Sequence, residues 1–120
     1  MPAGLQPSRL TEARRRAESR LSSLLGKPVG VLQLTVFAMP CGCVGVSLET
    51  RNLVREDVEV FESKLRELLS SLARGILGKE PNVYYARLAP SRYDVVSVTG
   101  RIACDECREE LKGAADLLTF

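Results

Sequence analysis

The four cysteines of this chain of 120 residues fall into two close pairs that are far apart in the sequence. The first pair is Cys41-Gly42-Cys43 and the second is Cys104-Asp105-Glu106-Cys107, with about sixty residues between them. Two close cysteines present their sulfurs together in a turn or in the first turn of a helix. If the pairs converge, they connect distant parts of the chain, and this constrains the fold more than any other sequence feature.

Four thiolates that approach from two directions predict a tetrahedral zinc site, with each sulfur about 2.3 Å from the ion. Gly42 relieves backbone crowding in a turn that carries Cys41 and Cys43. Free amide groups and the dipole at a helix start favour thiolates at Cys104 and Cys107. The predicted cofactor is therefore zinc, bound by all four cysteines. Such a site is closed, because no position is left for a catalytic water.

A hairpin tip combined with a helix start resembles the layout of treble-clef zinc sites. The resemblance covers only the four cysteines. Cys41 and Cys43 have C-x-C spacing instead of C-x-x-C, and the gap between the pairs is far longer than in compact zinc modules. The cysteines are therefore predicted to form a metal site that connects two halves of the chain, and not a self-contained zinc finger.

Other interpretations of the cysteines stay open at this point. They include small buried core residues, disulfide bonds and an iron–sulfur cluster, for which a hairpin tip offers little room. The alternative with a chemical activity is a thiol-disulfide oxidoreductase that uses Cys104 and Cys107 at a helix N-terminus. Asp105 and Glu106 lie within that motif, and their negative charges disfavour a thiolate beside them.

Three segments show the apolar spacing of three or four residues that is typical of amphipathic helices. They run from Leu10 to Leu25, from Val54 to Leu77, and from about Cys104 to Leu118. Gly26 and Pro28 are expected to end the first helix. Each of the first two helices is followed by a segment with alternating side chains.

The alternating segments predict two β-hairpins, with turns at Pro40–Cys43 and Ala89–Arg92. The predicted fold is a single α+β domain over residues 1–120, with a four-stranded antiparallel sheet and three helices in the order αββαββα. A short similarity between residues 21–28 and 69–81 suggests that an αββ unit is duplicated. Val31 and Phe37 are predicted to lie on the outer face of the first strand, where they favour a homodimer contact.

Two surfaces are candidates for nucleic-acid binding. The first 28 residues contain six basic residues against two acidic ones, and the predicted first helix carries most of them. The second hairpin places tyrosines and arginines on one strand face, which suits base stacking and phosphate contact. Ion pairs on a solvated helix and ordinary strand packing account for the same patterns without a ligand. The candidate residues are Arg9, Arg15, Arg20, Tyr85, Arg87, Tyr93 and Arg101.

The absence of histidine excludes imidazole bases, Ser-His and Cys-His nucleophile pairs, and histidine-ligated metals. No carboxylate pair or phosphate-binding glycine loop is evident, so the sequence favours a non-catalytic module that binds nucleic acid or a protein partner. No apolar run reaches the length of a membrane span, and no export signal is evident, which predicts a cytoplasmic location. The excess of arginine over lysine suggests a thermophilic source.

Overall fold

The computed structural model describes residues 7–88, 95–114 and 116–120. In these ranges the chain forms an α+β fold with four helices and five strands. The helices are α1 (Pro7–Leu25), α2 (Arg55–Val60), α3 (Glu62–Leu77) and α4 (Asp105–Lys112). The strands are β1 (Gly30–Ala38), β2 (Val44–Arg51), β3 (Val83–Leu88), β4 (Val95–Ile102) and β5 (Leu117–Thr119).

The five strands form one sheet in the order β1-β2-β4-β3-β5, and every neighbouring pair is antiparallel. The predicted antiparallel sheet and mixed α+β class are therefore confirmed. The second strand of each hairpin lies at the centre of the sheet, so β2 pairs with β4. Two related αββ units would give this order, although the duplication itself stays a prediction.

Helices α1, α2 and α3 cover one face of the sheet, because each has an apolar stripe that contacts the inward side chains of the strands. No helix of the described ranges has the length and apolar character needed to cross a membrane. The buried core on this face consists of Ala17, Leu21, Val29, Val31, Leu48, Leu53, Val58, Leu65, Leu68, Leu69, Ala86, Val96 and Val98.

The segment predicted as one helix from Val54 to Leu77 forms two helices, so the described residues contain four helices and the prediction of three is wrong. Phe61 has φ −106° and ψ 23°, outside the helical region, and it separates α2 from α3. The Phe61 amide still donates to the Asp57 carbonyl at 2.9 Å, and the Leu65 amide donates to the Phe61 carbonyl at 2.9 Å. Because these bonds keep helical spacing on both sides, the apolar pattern continues through the break.

The predicted faces of β1 are wrong at its start, because the strand contains a β-bulge. Val31 pairs with Thr50 while Gln33 pairs with Glu49, so Leu32 is an extra residue. The bulge places Val31 in the core with 1% of its surface exposed and leaves Leu32 45% exposed. Val31 therefore does not belong to an outer partner surface.

The predicted last helix ends earlier than expected, and its C-terminal part is the fifth strand. Helix α4 stops at Lys112, and Leu118 lies in β5 opposite Ala86 of β3. An exposed β3 edge offers backbone hydrogen bonds that helical spacing does not reveal. The predicted four-stranded sheet is therefore corrected to five strands.

Candidate metal centre

The first cysteine pair lies in the tight turn between β1 and β2. The Met39 amide donates to the Cys43 carbonyl at 2.7 Å, and the Gly42 amide donates to the Met39 carbonyl at 2.9 Å. Gly42 has φ +93°, a conformation that side chains with a Cβ rarely adopt. The glycine between the cysteines therefore allows the turn that directs both sulfurs to the same end of the sheet, as the sequence predicted.

The second pair lies at the beginning of α4. Cys104 is the N-cap residue, with extended φ −71° and ψ 167°, and its carbonyl accepts the Arg108 amide at 3.0 Å. Cys107 lies three residues later in the first turn, so both sulfurs project near the helix N-terminus. The predicted position of the second pair is therefore confirmed.

The register of the central strands explains why the two pairs meet. Val44, the first residue of β2, lies directly opposite Ile102, the last residue of β4. Cys43 precedes Val44, and Cys104 follows Ile102 by two residues. Antiparallel pairing of β2 with β4 therefore places the hairpin tip beside the start of α4.

Asn82 holds the backbone that leads into Cys104, and the sequence analysis missed this residue. Its side-chain amide donates to the Ala103 carbonyl at 2.9 Å, and its side-chain carbonyl accepts the Ala103 amide at 2.9 Å. Its own backbone amide donates to the Arg101 carbonyl at 3.1 Å. No sequence signal points to Asn82, because its partners are backbone atoms that only the β3–β4 pairing brings near.

All four cysteine sulfurs lie within 4.8 Å of one another, although the pairs are distant in sequence. The Cys41 Sγ is 3.2 Å from that of Cys43 and 3.4 Å from that of Cys107, and the Cys43 and Cys107 sulfurs are 3.9 Å apart. The cysteines are not joined by disulfide bonds. Cys41 and Cys104 are exposed, so burial in a core does not explain their positions.

This donor set fits a single tetrahedral metal ion. Four sulfurs at about 2.3 Å from one centre lie about 3.8 Å from each other, close to the separations observed here. The Cys104 amide also donates to the Cys43 Sγ at 3.2 Å, and such bonds orient and stabilise ligating sulfurs. Val83 and Ala103 pack against Cys43 and Cys107, which shields one side of the cluster from water.

The thiols divide into two with lowered and two with raised pKa values. The Cys43 amide and the neighbouring thiols lower the pKa of Cys41 to about 7, and the Cys107 amide lowers that of Cys104. Interactions with Cys41 and Cys104, together with burial, raise the pKa of Cys107 to about 12. The Cys104 amide lowers the pKa of Cys43, but contact with Cys41 and burial raise it by more.

Contacts with the neighbouring thiols and burial raise the pKa values of Cys43 and Cys107, so these two sulfurs favour their protonated form in the metal-free cluster. The lowered pKa values of Cys41 and Cys104 favour the thiolate form of the two exposed sulfurs. A cation bound at the centre would replace the remaining protons, so that binding is coupled to proton release. The affinity for a metal should therefore fall as the pH falls.

The arginines predicted to bind nucleic acid on α1 are exposed. Arg9, Arg15 and Arg20 form no ion pair with the residues that the structure describes. The other charged residues of α1 pair as expected at four-residue spacing, Arg16 with Glu12 and Arg14 with Glu18. Arg9 and Arg20 line a groove of about 400 Å³ between α1 and α3.

Among the predicted residues of the second hairpin, Tyr85, Arg87 and Arg101 lie on the sheet face opposite α3, but they differ in exposure. Arg87 is exposed and forms an ion pair with Asp116 at 2.8 Å. Tyr85 and Arg101 are each only 7% exposed, so their side chains offer little surface for base stacking. Tyr93 lies outside the described residues. Nucleic-acid binding by this face stays a prediction.

The fold and the cysteine cluster together define an α+β protein with four cysteines placed to hold a metal ion. Over residues 5–117 the chain matches a family described as "Family of unknown function (DUF5402)", and it belongs to that family. It is 30% identical over 104 residues to uncharacterized protein MJ1658 of Methanocaldococcus jannaschii, and the aligned region covers 87% of each chain. No solved structure matches the chain significantly.

Proposed function

We propose that the protein is a small zinc-binding module without catalytic activity. The observation that carries this proposal is the convergence of four sulfurs from two distant segments within 4.8 Å. Four thiolates saturate a tetrahedral zinc ion, so no position is left to activate a water. The close spacing of the sulfurs favours one ion over an iron–sulfur cluster, in which the cysteines bind separate iron atoms.

The proposed role of the metal is to join the β1–β2 hairpin to α4 and thereby to connect the two halves of the chain. Thiols that must stay reduced fit a cytoplasmic location, which we include in the proposal. The proposed thermophilic source agrees with the need for such a connection at high temperature, where metal binding supplies folding free energy.

Metal analysis tests the proposal directly. The protein, purified with a thiol reductant, is expected to contain one zinc ion per chain by native mass spectrometry. Its four thiols should react slowly with Ellman's reagent until a chelator removes the ion. The variant Cys43→Ser should lose the ion, whereas the matched control Ser47→Ala should keep it. Less than about half an equivalent of metal in the wild-type protein would contradict the proposal.

Thiol-disulfide exchange is the second candidate function, and the different environments of Cys104 and Cys107 favour it. Cys104 is exposed with a lowered pKa, and Cys107 is buried with a raised one, as in a pair with one attacking and one resolving thiol. Rapid reduction of insulin by the purified protein would support this candidate. Slow thiols together with one bound zinc ion would support the zinc module.

We also propose that the arginines of α1 bind the phosphates of a nucleic acid. Arg9, Arg15 and Arg20 support this idea because they are exposed and form no ion pair with a described residue. Arg9 and Arg20 line the same groove, which concentrates positive charge on one side of the helix layer. A protein partner or a homodimer through the outer sheet face is the other proposed mode of binding.

Replacing these three arginines by glutamine should weaken binding to a mixed-sequence oligonucleotide at low salt by more than about tenfold. Each lost phosphate contact should also reduce the slope of log affinity against log salt by about one. The matched control replaces Arg55, Arg66 and Arg74 by glutamine, which removes the same charge from α2 and α3. Fluorescence anisotropy measures both variants. Equal losses, or no binding by the wild-type protein, would contradict the phosphate contact.

A further inference from the structure

Arg101 is a buried cation beside the cysteine cluster. It lies in the central strand β4, opposite Gly45 on one side and Val83 on the other. Only 7% of its surface is exposed. Its Nε atom is fully buried and has no hydrogen-bond partner. Buried guanidinium groups normally need an anion nearby, because burial removes the water that stabilises their charge.

No carboxylate of the described residues forms an ion pair with Arg101. Val83 alternates with Tyr84, whose hydroxyl contacts Ser70 of α3, so Val83 and Arg101 lie on the opposite sheet face. Val83 packs against Cys107 and Cys43. Cys43 and Cys107 therefore pack against the residue that lies directly opposite Arg101 on this sheet face.

Interactions of the Arg101 side chain agree with this placement. Burial by itself lowers the pKa of the guanidinium, but contacts with Tyr85 and Cys107 outweigh that effect and raise the pKa. Arginine is charged in proteins at every ordinary pH, so the guanidinium of Arg101 is a buried cation. Tyr85 contributes a hydroxyl group, whereas Cys107 belongs to the cysteine cluster and as a thiolate ligand of a metal would carry a compensating negative charge.

We infer that the guanidinium of Arg101 helps to position the ligands of the metal centre. Its positive charge balances the net negative charge of a zinc ion bound by four thiolates. This inference rests on the proposed function. Residues that contact metal ligands without binding the metal orient those ligands and adjust their basicity. Loss of such a residue commonly reduces the affinity for the metal. The interaction is also mutual, because the bound centre would supply Arg101 with an anion that no carboxylate of the described residues provides.

The variant Arg101→Gln should bind zinc about 10- to 100-fold more weakly than the wild-type protein. Competition with a chromophoric chelator measures this change. Arg101→Lys restores a positive charge without the planar guanidinium, so its affinity should lie between the two. The matched control is Arg87→Gln on the same sheet face. Arg87 is exposed and contacts Asp116, so this variant should bind zinc as the wild type does.

Two further readouts separate a charge effect from loss of structure. With cobalt in place of zinc, the sulfur-to-metal charge-transfer band should shift in Arg101→Gln and not in Arg87→Gln. The metal-free Arg101→Gln protein, at a pH where the thiols are protonated, should be at least as stable to urea as the wild type, because an uncompensated buried cation is gone. If Arg101 only supported the fold, the metal-free Arg101→Gln protein would instead be less stable to urea than the wild type.

The outcomes distinguish this inference from the proposed function. If the wild-type protein binds no zinc, the proposed function fails and the inference fails with it. If the wild type binds zinc but Arg101→Gln binds it equally well, only the inference fails. If Arg101→Gln does not fold, Arg101→Lys decides, because a folded lysine variant with wild-type affinity and an unshifted cobalt spectrum would contradict a specific role of the guanidinium.

Discussion

Removing the metal should lower the melting temperature of the protein by about 15 °C. A ligand present at about 1,000 times its dissociation constant stabilises the folded state by about 4 kcal/mol, and for a chain of this size about 1 kcal/mol corresponds to about 4 °C. Differential scanning calorimetry with and without a strong zinc chelator, in the presence of a reductant, measures the shift. The effect should be large because the metal joins the β1–β2 turn to the start of α4, two segments about sixty residues apart in the sequence.

The control for this experiment is a variant without the site. Cys43→Ser should melt at the lower temperature with or without chelator, since it holds no metal to remove. Chelators should also extract the metal more readily as the pH falls, because protons compete for sulfurs such as Cys107, whose pKa is about 12 in the metal-free cluster. An unchanged melting temperature of the wild-type protein after chelation would refute a structural metal.

Truncating Leu69 should destabilise the fold by about 3 kcal/mol, within the range found when a buried leucine is replaced by alanine. Leu69 is fully buried in the core between α3 and the sheet. An alanine at this position would keep the Cβ and leave a cavity in the core cluster where the three outer carbon atoms of the leucine pack. Urea unfolding of metal-free Leu69→Ala and wild-type protein measures the difference.

The matched control is Leu32→Ala, which removes the same atoms from the bulge of β1. Leu32 is 45% exposed, and surface substitutions of this kind usually change stability by less than about 0.5 kcal/mol. If the two variants lost equal stability, the assignment of the core face, and with it the bulge in β1, would be wrong.

The sequence was most informative where one local pattern determined one structural feature. Helix α1 ends at Leu25, and Gly26 then has φ +67°, because a glycine readily takes the left-handed conformation that follows a helix. The pairing of β1 with β2 followed from alternation on both sides of Gly42. These elements could be predicted because their causes lie within a few residues of each other.

Predictions failed where a distant contact competed with a local pattern. The spacing of Leu118 fits the stripe of α4, but the edge of β3 binds that segment as β5. At Leu32 the bulge depends on α1, since Arg14 donates to the Val31 carbonyl and Glu18 accepts the Val31 amide, each at 2.8 Å. Neither contact is visible in the local periodicity.

The cysteine cluster illustrates both cases. The set of candidate ligands could be predicted, because all four cysteines fall into two close pairs and the chain contains no histidine. The residues that support these ligands could not be predicted. Asn82 and Arg101 act through backbone and buried contacts that depend on the register of β3 and β4, and a single sequence does not reveal that register.

X-ray absorption at the zinc edge of the loaded protein tests the central claim most directly, because it counts the atoms bound to the metal. We expect four sulfur atoms at about 2.3 Å and no oxygen or nitrogen among the ligands. Three or fewer sulfur atoms, or an oxygen ligand in their place, would contradict a closed site made by Cys41, Cys43, Cys104 and Cys107.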